Sequence, residues 1–214
     1  MIHVSETSQA YLSLPVQTFI ENECKKPHKQ WIYAIIDGQR EQQSIIYTDP
    51  AKRFVILPSV PDPRRRHLSY LAIFSDTSLR SIRDLRGEHV RLLIDVCTAA
   101  ASVLPDEFAH ASFHYHPSVY QLHMHFRHPK DVDLSNPRIY TVGFVILCLA
   151  IKPDFFQTCT LKFRAHGESA LVRSVQQHTL WDPVAVSKSK VTDGLCDIPL
   201  IDLSLDNSCV SKTS

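Results

Sequence analysis

Apolar and polar positions alternate most strictly over Leu122-His123-Met124-His125-Phe126. A two-residue period is that of a strand, so Leu122, Met124 and Phe126 are predicted on one face and Gln121, His123 and His125 on the other. Phe113-His114-Tyr115-His116 repeats the pattern, with His114 and His116 on one face, and Pro117-Ser118 is a turn signal between the two runs. Two adjacent strands that gather imidazoles on one surface are expected. Upstream, Trp31-Ile32-Tyr33-Ala34-Ile35-Ile36 and Ser44-Ile45-Ile46-Tyr47 flank a turn at Asp37-Gly38 and predict a hairpin. Phe54–Leu57, stopped by Pro58, and Leu68–Phe74 predict two more strands. Val90, Leu93, Ile94, Cys97, Ala101 and Leu104 recur at three- and four-residue steps, the stripe of an amphipathic helix that ends at Pro105. Asp84 and Glu88 near its start suit the positive end of the helix. The length of Ile139–Ile151 favours a helix, Cys159–Arg164 alternates as an edge or half-buried strand, and Ser169–Gln177 fits a short helix. Over residues 1–30 Pro15 is expected to break any helix, and Glu21–Gln30 reads as a loop or linker. From Thr179 onward Ser, Lys, Asp and Pro with isolated apolar residues predict a disordered or loosely attached tail. Strands on both sides of one long amphipathic helix, with a second shorter helix, give an α+β fold with a mainly antiparallel sheet.

Composition adds bounds. The 214 residues suit one domain with an appendage, and 44% hydrophobic content suffices for a packed core. A formal net charge of +1 gives no strong pull toward nucleic acid or acidic membranes. Pro61–Arg66 is a short basic loop, read as a solvated turn or as a contact for a phosphate-bearing ligand. The six cysteines are scattered without a Cys-x-x-Cys pair, consistent with buried free thiols in a reducing compartment. No secretory signal is visible, and the most apolar run, at 13 residues, is too short to span a bilayer, so a soluble intracellular protein is expected.

Four of the twelve histidines fall between positions 113 and 126, and three readings of that surface compete. Neutral imidazoles can ligate zinc or copper, although no Cys or acidic partners stand near at short spacing. They can also be polar residues on the open face of a sheet. Finally, one imidazole can act as a nucleophile toward phosphorus while a neighbour stabilises phosphate charge, chemistry that needs no metal or other cofactor.

At these residues the chain resembles the histidine-triad superfamily. Phe113–Ser118 ahead of Leu122–Phe126, Ser81-Ile82-Arg83-Asp84-Leu85 running into Glu88-His89, Phe54–Pro58, Gln30–Asp37 and Thr160–Phe163, in that relation, resemble one branch, the scavenger mRNA-decapping enzymes. The resemblance covers about Glu6 to Gln177. It implies a histidine-triad-like catalytic domain at 31–178, a remnant of an N-terminal region and linker at 1–30, and a tail at 179–214. It also implies hydrolysis of 7-methylguanosine-capped dinucleotides or short capped RNA fragments in mRNA decay, with release of 7-methylguanosine monophosphate through a covalent nucleotidyl-histidine. His123 is then the nucleophile. His114, Ser118 and His125 bind phosphate, Trp31 stacks on the methylated base, and Glu41 accepts hydrogen bonds from the guanine edge. The expected partner is the capped nucleotide itself, with no membrane; self-association as a homodimer and a location in the cytoplasm, the nucleus or both are also expected.

The chain departs from the family pattern at Gln121, where the triad has its first histidine, at Ser59-Val60-Pro61, where an Asp and a Lys contact the cap, and at Val119, where a tyrosine stands. The family's N-terminal lid is expected to be almost wholly absent. Two other readings therefore stay open: a catalytically impaired cap-binding protein, and a triad hydrolase of other nucleotides.

Overall fold

The computed structural model describes residues 2–61, 63 and 66–181. Two antiparallel sheets carry the fold. The smaller pairs β1 (Ile2–Glu6) with β8 (Leu161–Ala165), Ile2 opposite Ala165 and Glu6 opposite Leu161. The larger has six strands in the order β2 (Tyr47–Thr48), β3 (Phe54–Pro58), β4 (Ser69–Phe74), β6 (His123–Arg127), β5 (His110–His114) and β7 (Ile139–Thr141). Seven helices are described: α1 (Ser8–Leu12), α2 (Leu14–Cys24), α3 (Trp31–Ile36), α4 (Val90–Val103), α5 (Val142–Ile151), α6 (Phe155–Thr158) and α7 (Ala170–Trp181). The α+β class and the mainly antiparallel sheet are as expected, and the strands at Phe54, Leu68, Phe113, Leu122 and Cys159 fall at or within a few residues of their predicted places.

The large sheet separates two apolar clusters, and this division positions the site. Phe54, Ile56, Ala72, Phe74, Phe113, Met124 and Phe126 belong to the main core, which includes Leu93, Val96, Ala99 and Ala100 of α4. A smaller cluster joins Leu57, Leu71 and Ile73 to Ile32 and Ile35 of α3 and to Val119.

That second cluster explains the largest correction. Trp31–Ile36 is a helix, not the first strand of a hairpin. Ile32 and Ile35, three residues apart, are both fully buried, so the segment presents helical spacing to its neighbours despite its β-branched and aromatic content. Tertiary burial outweighs local strand propensity here. Asp37-Gly38 ends this helix: Gly38 takes a left-handed φ of 72°, its N–H donates to Ile35 O at 3.1 Å, and Gln39 N–H donates to Ala34 O at 2.8 Å. Of the second predicted strand, Ser44–Tyr47, only Tyr47 lies in β2, where it and Thr48 stand opposite Ile56 and Val55.

Three further expectations change. Pro15 lies in the first turn of α2, where the missing N–H has no intrahelical role, so it starts that helix instead of breaking one. The buried stripe of α4 is Leu93, Val96, Ala99 and Ala100, whereas Ile94 is 41% exposed and Ala101 is exposed. Apolar residues lie on more than one side of α4, and only the side that packs inward is buried. Ile139–Ile151 divides: Ile139–Thr141 adds the edge strand beside β5, and the Thr141 hydroxyl caps α5 by accepting from Phe144 N at 3.3 Å. Cys148 is a buried free thiol, and Cys24, Cys97 and Cys159 are half-buried ones. The expected tail starts at Thr179, but 179–181 belong to α7; its remainder lies outside the described residues, as do Asp62, Arg64 and Arg65 of the basic loop. No described helix is long and apolar enough to cross a membrane.

Candidate active site

In an antiparallel pair, residues directly opposite each other project to the same side of the sheet. His123 faces Ile73 and His125 faces Leu71 on β4, while Ser112 faces His125 and His110 faces Arg127 on β5. His110, Ser112, His114, His123, His125 and Arg127 therefore share the face that carries Leu71 and Ile73, opposite the α4 core. The predicted imidazole surface is present for three of its four members. The His114 and His125 rings stack with centroids 4.1 Å apart, and His123 meets His125 edge-on at 5.0 Å.

The two triad histidines are held in opposite tautomers. His123 Nδ1 lies 2.7 Å from the main-chain oxygen of Gln121. A carbonyl only accepts, so Nδ1 carries the proton and Nε2 keeps its lone pair. His125 Nδ1 lies 3.2 Å from Nη2 of Arg127. A guanidinium only donates, so here Nδ1 accepts and the ring proton sits on Nε2. His123 is 8% exposed; burial, with the nearby Arg127 charge, lowers its pKa from 6.5 against the opposing pull of the Gln121 carbonyl. The lowered pKa favours the neutral imidazole, and the Nδ1 contact leaves the lone pair on Nε2.

Gln121, the expected departure from the triad, is fully buried and anchors the site. Its Nε2 donates to Phe74 O at 2.7 Å and Asp76 O at 3.0 Å, tying the entry of β6 to the end of β4.

The turn between β5 and β6 is pinned from below. His116 leaves the imidazole face altogether: its Nε2–H donates to Glu6 Oε1 at 3.0 Å, its Nδ1 meets the Tyr120 hydroxyl at 2.9 Å, and its ring packs edge-on against Phe163 at 4.7 Å. Glu6 also accepts from the Tyr115 hydroxyl and from Arg83 Nη2 at 3.3 Å. Arg83, fully buried, donates further to Glu6 O, Phe156 O and Cys159 O at 2.7–2.8 Å. A buried carboxyl would ordinarily have a raised pKa, but the His116, Tyr115 and Arg83 contacts outweigh burial and hold Glu6 below 4.5. The strand-parity argument for His116 fails because β5 ends at His114 and the chain turns inward beyond it.

Trp31 and Ser118 are brought together in one cavity of about 630 Å³. Lys29, Arg138, Arg164 and His166 also line it. Arg138 braces the turn by donating from Nη2 to His116 O at 2.6 Å. Glu41 lines neither this cavity nor the histidine face; it follows α3 in a left-handed conformation, φ 55° and ψ 20°, with its carboxylate 3.6 Å from Arg40 Nε. Sequence reasoning missed Arg127 and Arg138. The alternation that marks Gln121, His123 and His125 continues to Arg127, and that signal would have found it. Among the described residues no group of three or more His, Cys, Asp or Glu is arranged to hold a metal ion.

The family model described as "Scavenger mRNA decapping enzyme C-term binding" matches residues 30–138, just over half of the 214. The chain is 28% identical over 185 residues to an m7GpppX diphosphatase of Ascaris suum, covering 79% of this chain and 60% of that protein. It is 29% identical over 197 residues to an m7GpppX diphosphatase of Schizosaccharomyces pombe, covering 85% and 60%, and 28% identical over 163 residues to that of Homo sapiens, covering 69% and 48%. The chain thus spans about half to three-fifths of the length of these curated relatives. The family match falls on the strands and turn that assemble the histidine face and on the helix that begins with Trp31, and the chain belongs to the scavenger mRNA decapping enzyme family, in the part described by its C-terminal model.

Proposed function

We propose that this chain hydrolyses 7-methylguanosine-capped dinucleotides and short capped RNA fragments through a histidine-bound intermediate. The observation that carries the reading is the contact of His123 Nδ1 with Gln121 O, 2.7 Å long, which puts the ring proton on Nδ1 and leaves Nε2 its lone pair. Its Nε2 attacks the phosphorus next to the methylated nucleoside. A P–N bond forms, the P–O bond to the next phosphate breaks, and the remaining nucleoside diphosphate or RNA 5′-diphosphate leaves. The positive charge that develops on the ring is stabilised at Nδ1–H by the same carbonyl. Water then attacks the phosphorus, the P–N bond breaks, and 7-methylguanosine monophosphate is released.

His125 donates from Nε2–H to a phosphate oxygen, and His114, stacked on it, and Ser118 complete the phosphate contacts. Trp31 stacks on the cationic purine through a cation–π term. Glu41 reaches the guanine edge only if its turn closes over the bound base. The substrates arise in cytoplasmic and nuclear mRNA decay, and a homodimer is the expected assembly.

Incubation with a methylated cap dinucleotide tests the reading. Release of 7-methylguanosine monophosphate is expected from the wild type and not from His123→Ala; equal release by both overturns the role of His123. Trp31→Ala is expected to raise KM on methylated substrate at least tenfold and to change little on the unmethylated dinucleotide. Methylated-cap binding without turnover would instead identify a cap-binding protein.

A further inference from the structure

Arg127 is not among the site residues that the family resemblance implies, yet it is the one permanent cation on the imidazole face of the strand that holds His123 and His125. It is 5% exposed, lies opposite His110 on β5 and Ser69 on β4, and places Nη2 3.2 Å from His125 Nδ1. A side chain that can only donate, next to a ring nitrogen that can donate or accept, dictates the outcome: the ring nitrogen accepts. The other nitrogen must then carry the proton. A neutral imidazole whose proton sat on Nδ1 would present a lone pair to a phosphate oxygen, and two acceptors repel. The same ring with its proton on Nε2 presents a donor.

We infer that Arg127 is a positioning residue that fixes His125 as an Nε2–H donor toward the transferring phosphoryl group. It acts in concert with Gln121 O, which does the reverse to His123, so one strand holds a nucleophile and a donor two residues apart in complementary tautomers. The inference also bears on Gln121. An amide cannot supply the charge a histidine could at that position, whereas the Arg127 guanidinium supplies a fixed one on the same face.

This inference rests on the proposed phosphoryl chemistry for its purpose, but its central statement concerns a proton position that can be read without turnover. Long-range ¹H–¹⁵N correlation spectra of ¹⁵N-histidine-labelled full chain report ring tautomers directly. His125 is expected in the Nε2–H form and His123 in the Nδ1–H form at pH 7.5; His125 in the Nδ1–H form overturns the inference in the wild type alone. In Arg127→Met the His125 signals are expected to move toward the Nδ1–H form or a mixture, with His123 unchanged, and Arg127→Lys is expected to restore Nε2–H at least in part. An unchanged His125 tautomer in Arg127→Met also overturns it. On methylated cap dinucleotide, Arg127→Met is expected to lower kcat about ten- to a hundredfold, less than the loss of a direct oxyanion donor, with KM changed less than threefold. If the wild type shows the two tautomers but no turnover, the proposed reaction fails while the proton assignment stands.

Discussion

His123 donates its Nδ1 proton to the main-chain oxygen of Gln121, two residues earlier on the same chain, across 2.7 Å. The bond is local, so the tautomer of the proposed nucleophile is set by the entry of its own strand and not by a distant partner.

Gln121 therefore matters through both its backbone and its side chain. Gln121→Leu removes the donor to Phe74 O and Asp76 O, and the buried Phe74 carbonyl left without that donor costs about 1–3 kcal/mol. Thermal unfolding is expected to show that loss, and kcat to fall more than tenfold as the carbonyl facing His123 loses its anchor. Gln121→His, which offers a ring N–H, is expected to recover most of both. Full activity in Gln121→Leu would separate the amide from the site.

The pH dependence of His123, the proposed nucleophile, follows from its surroundings. Burial and then the Arg127 charge lower the pKa of His123 from 6.5, so the reactive neutral form persists at mildly acidic pH. Groups on the same face are His110, His114, His125 and Arg127. The acid limb of kcat/KM is expected below pH 6.5. For stability the sign is the same: the unfolded chain takes up this proton before the folded one, so stability is lost as pH falls from 6.5 toward the folded pKa. A limb at or above 6.5 refutes a desolvated nucleophile.

The buried Glu6 gives a second pH signature. Its folded pKa lies below 4.5, so its contribution is fully present above 4.5 and is lost as pH falls through the folded value. Glu6→Gln leaves the Arg83 guanidinium buried without its carboxylate and is expected to destabilise the fold by about 3–5 kcal/mol at pH 7. Chemical denaturation from pH 7 to 3 checks both points: the wild type should lose stability more steeply below pH 4.5 than the variant.

Much of the site was legible in the sequence because strand parity is a strict rule. His123 and His125 alternate, and the same parity puts His114 on their face; it also runs on to Arg127, which the sequence reading passed over. What escaped did so for physical reasons. Glu6 occupies an inward position of β1, and a carboxylate there reads as solvated unless Arg83, 77 residues away, is seen to meet it. Trp31–Ile36 carries strand-forming residues whose burial at helical spacing appears only once Leu57, Leu71 and Ile73 supply the surface beneath them. His116 shares its parity with His114, but parity stops where the strand stops.

Glu41 draws these strands of chemistry into a conflict. Its left-handed backbone is one that glycine adopts freely and a side chain with a Cβ adopts at a cost of about 1–2 kcal/mol. Replacing it with glycine is expected to raise thermal stability by up to about 1 kcal/mol, once the greater freedom of an unfolded glycine is subtracted. The same change would remove the carboxylate proposed to read the guanine edge. A library of variants sorted for heat resistance should therefore enrich glycine at position 41, and a library sorted for cap discrimination should reject it.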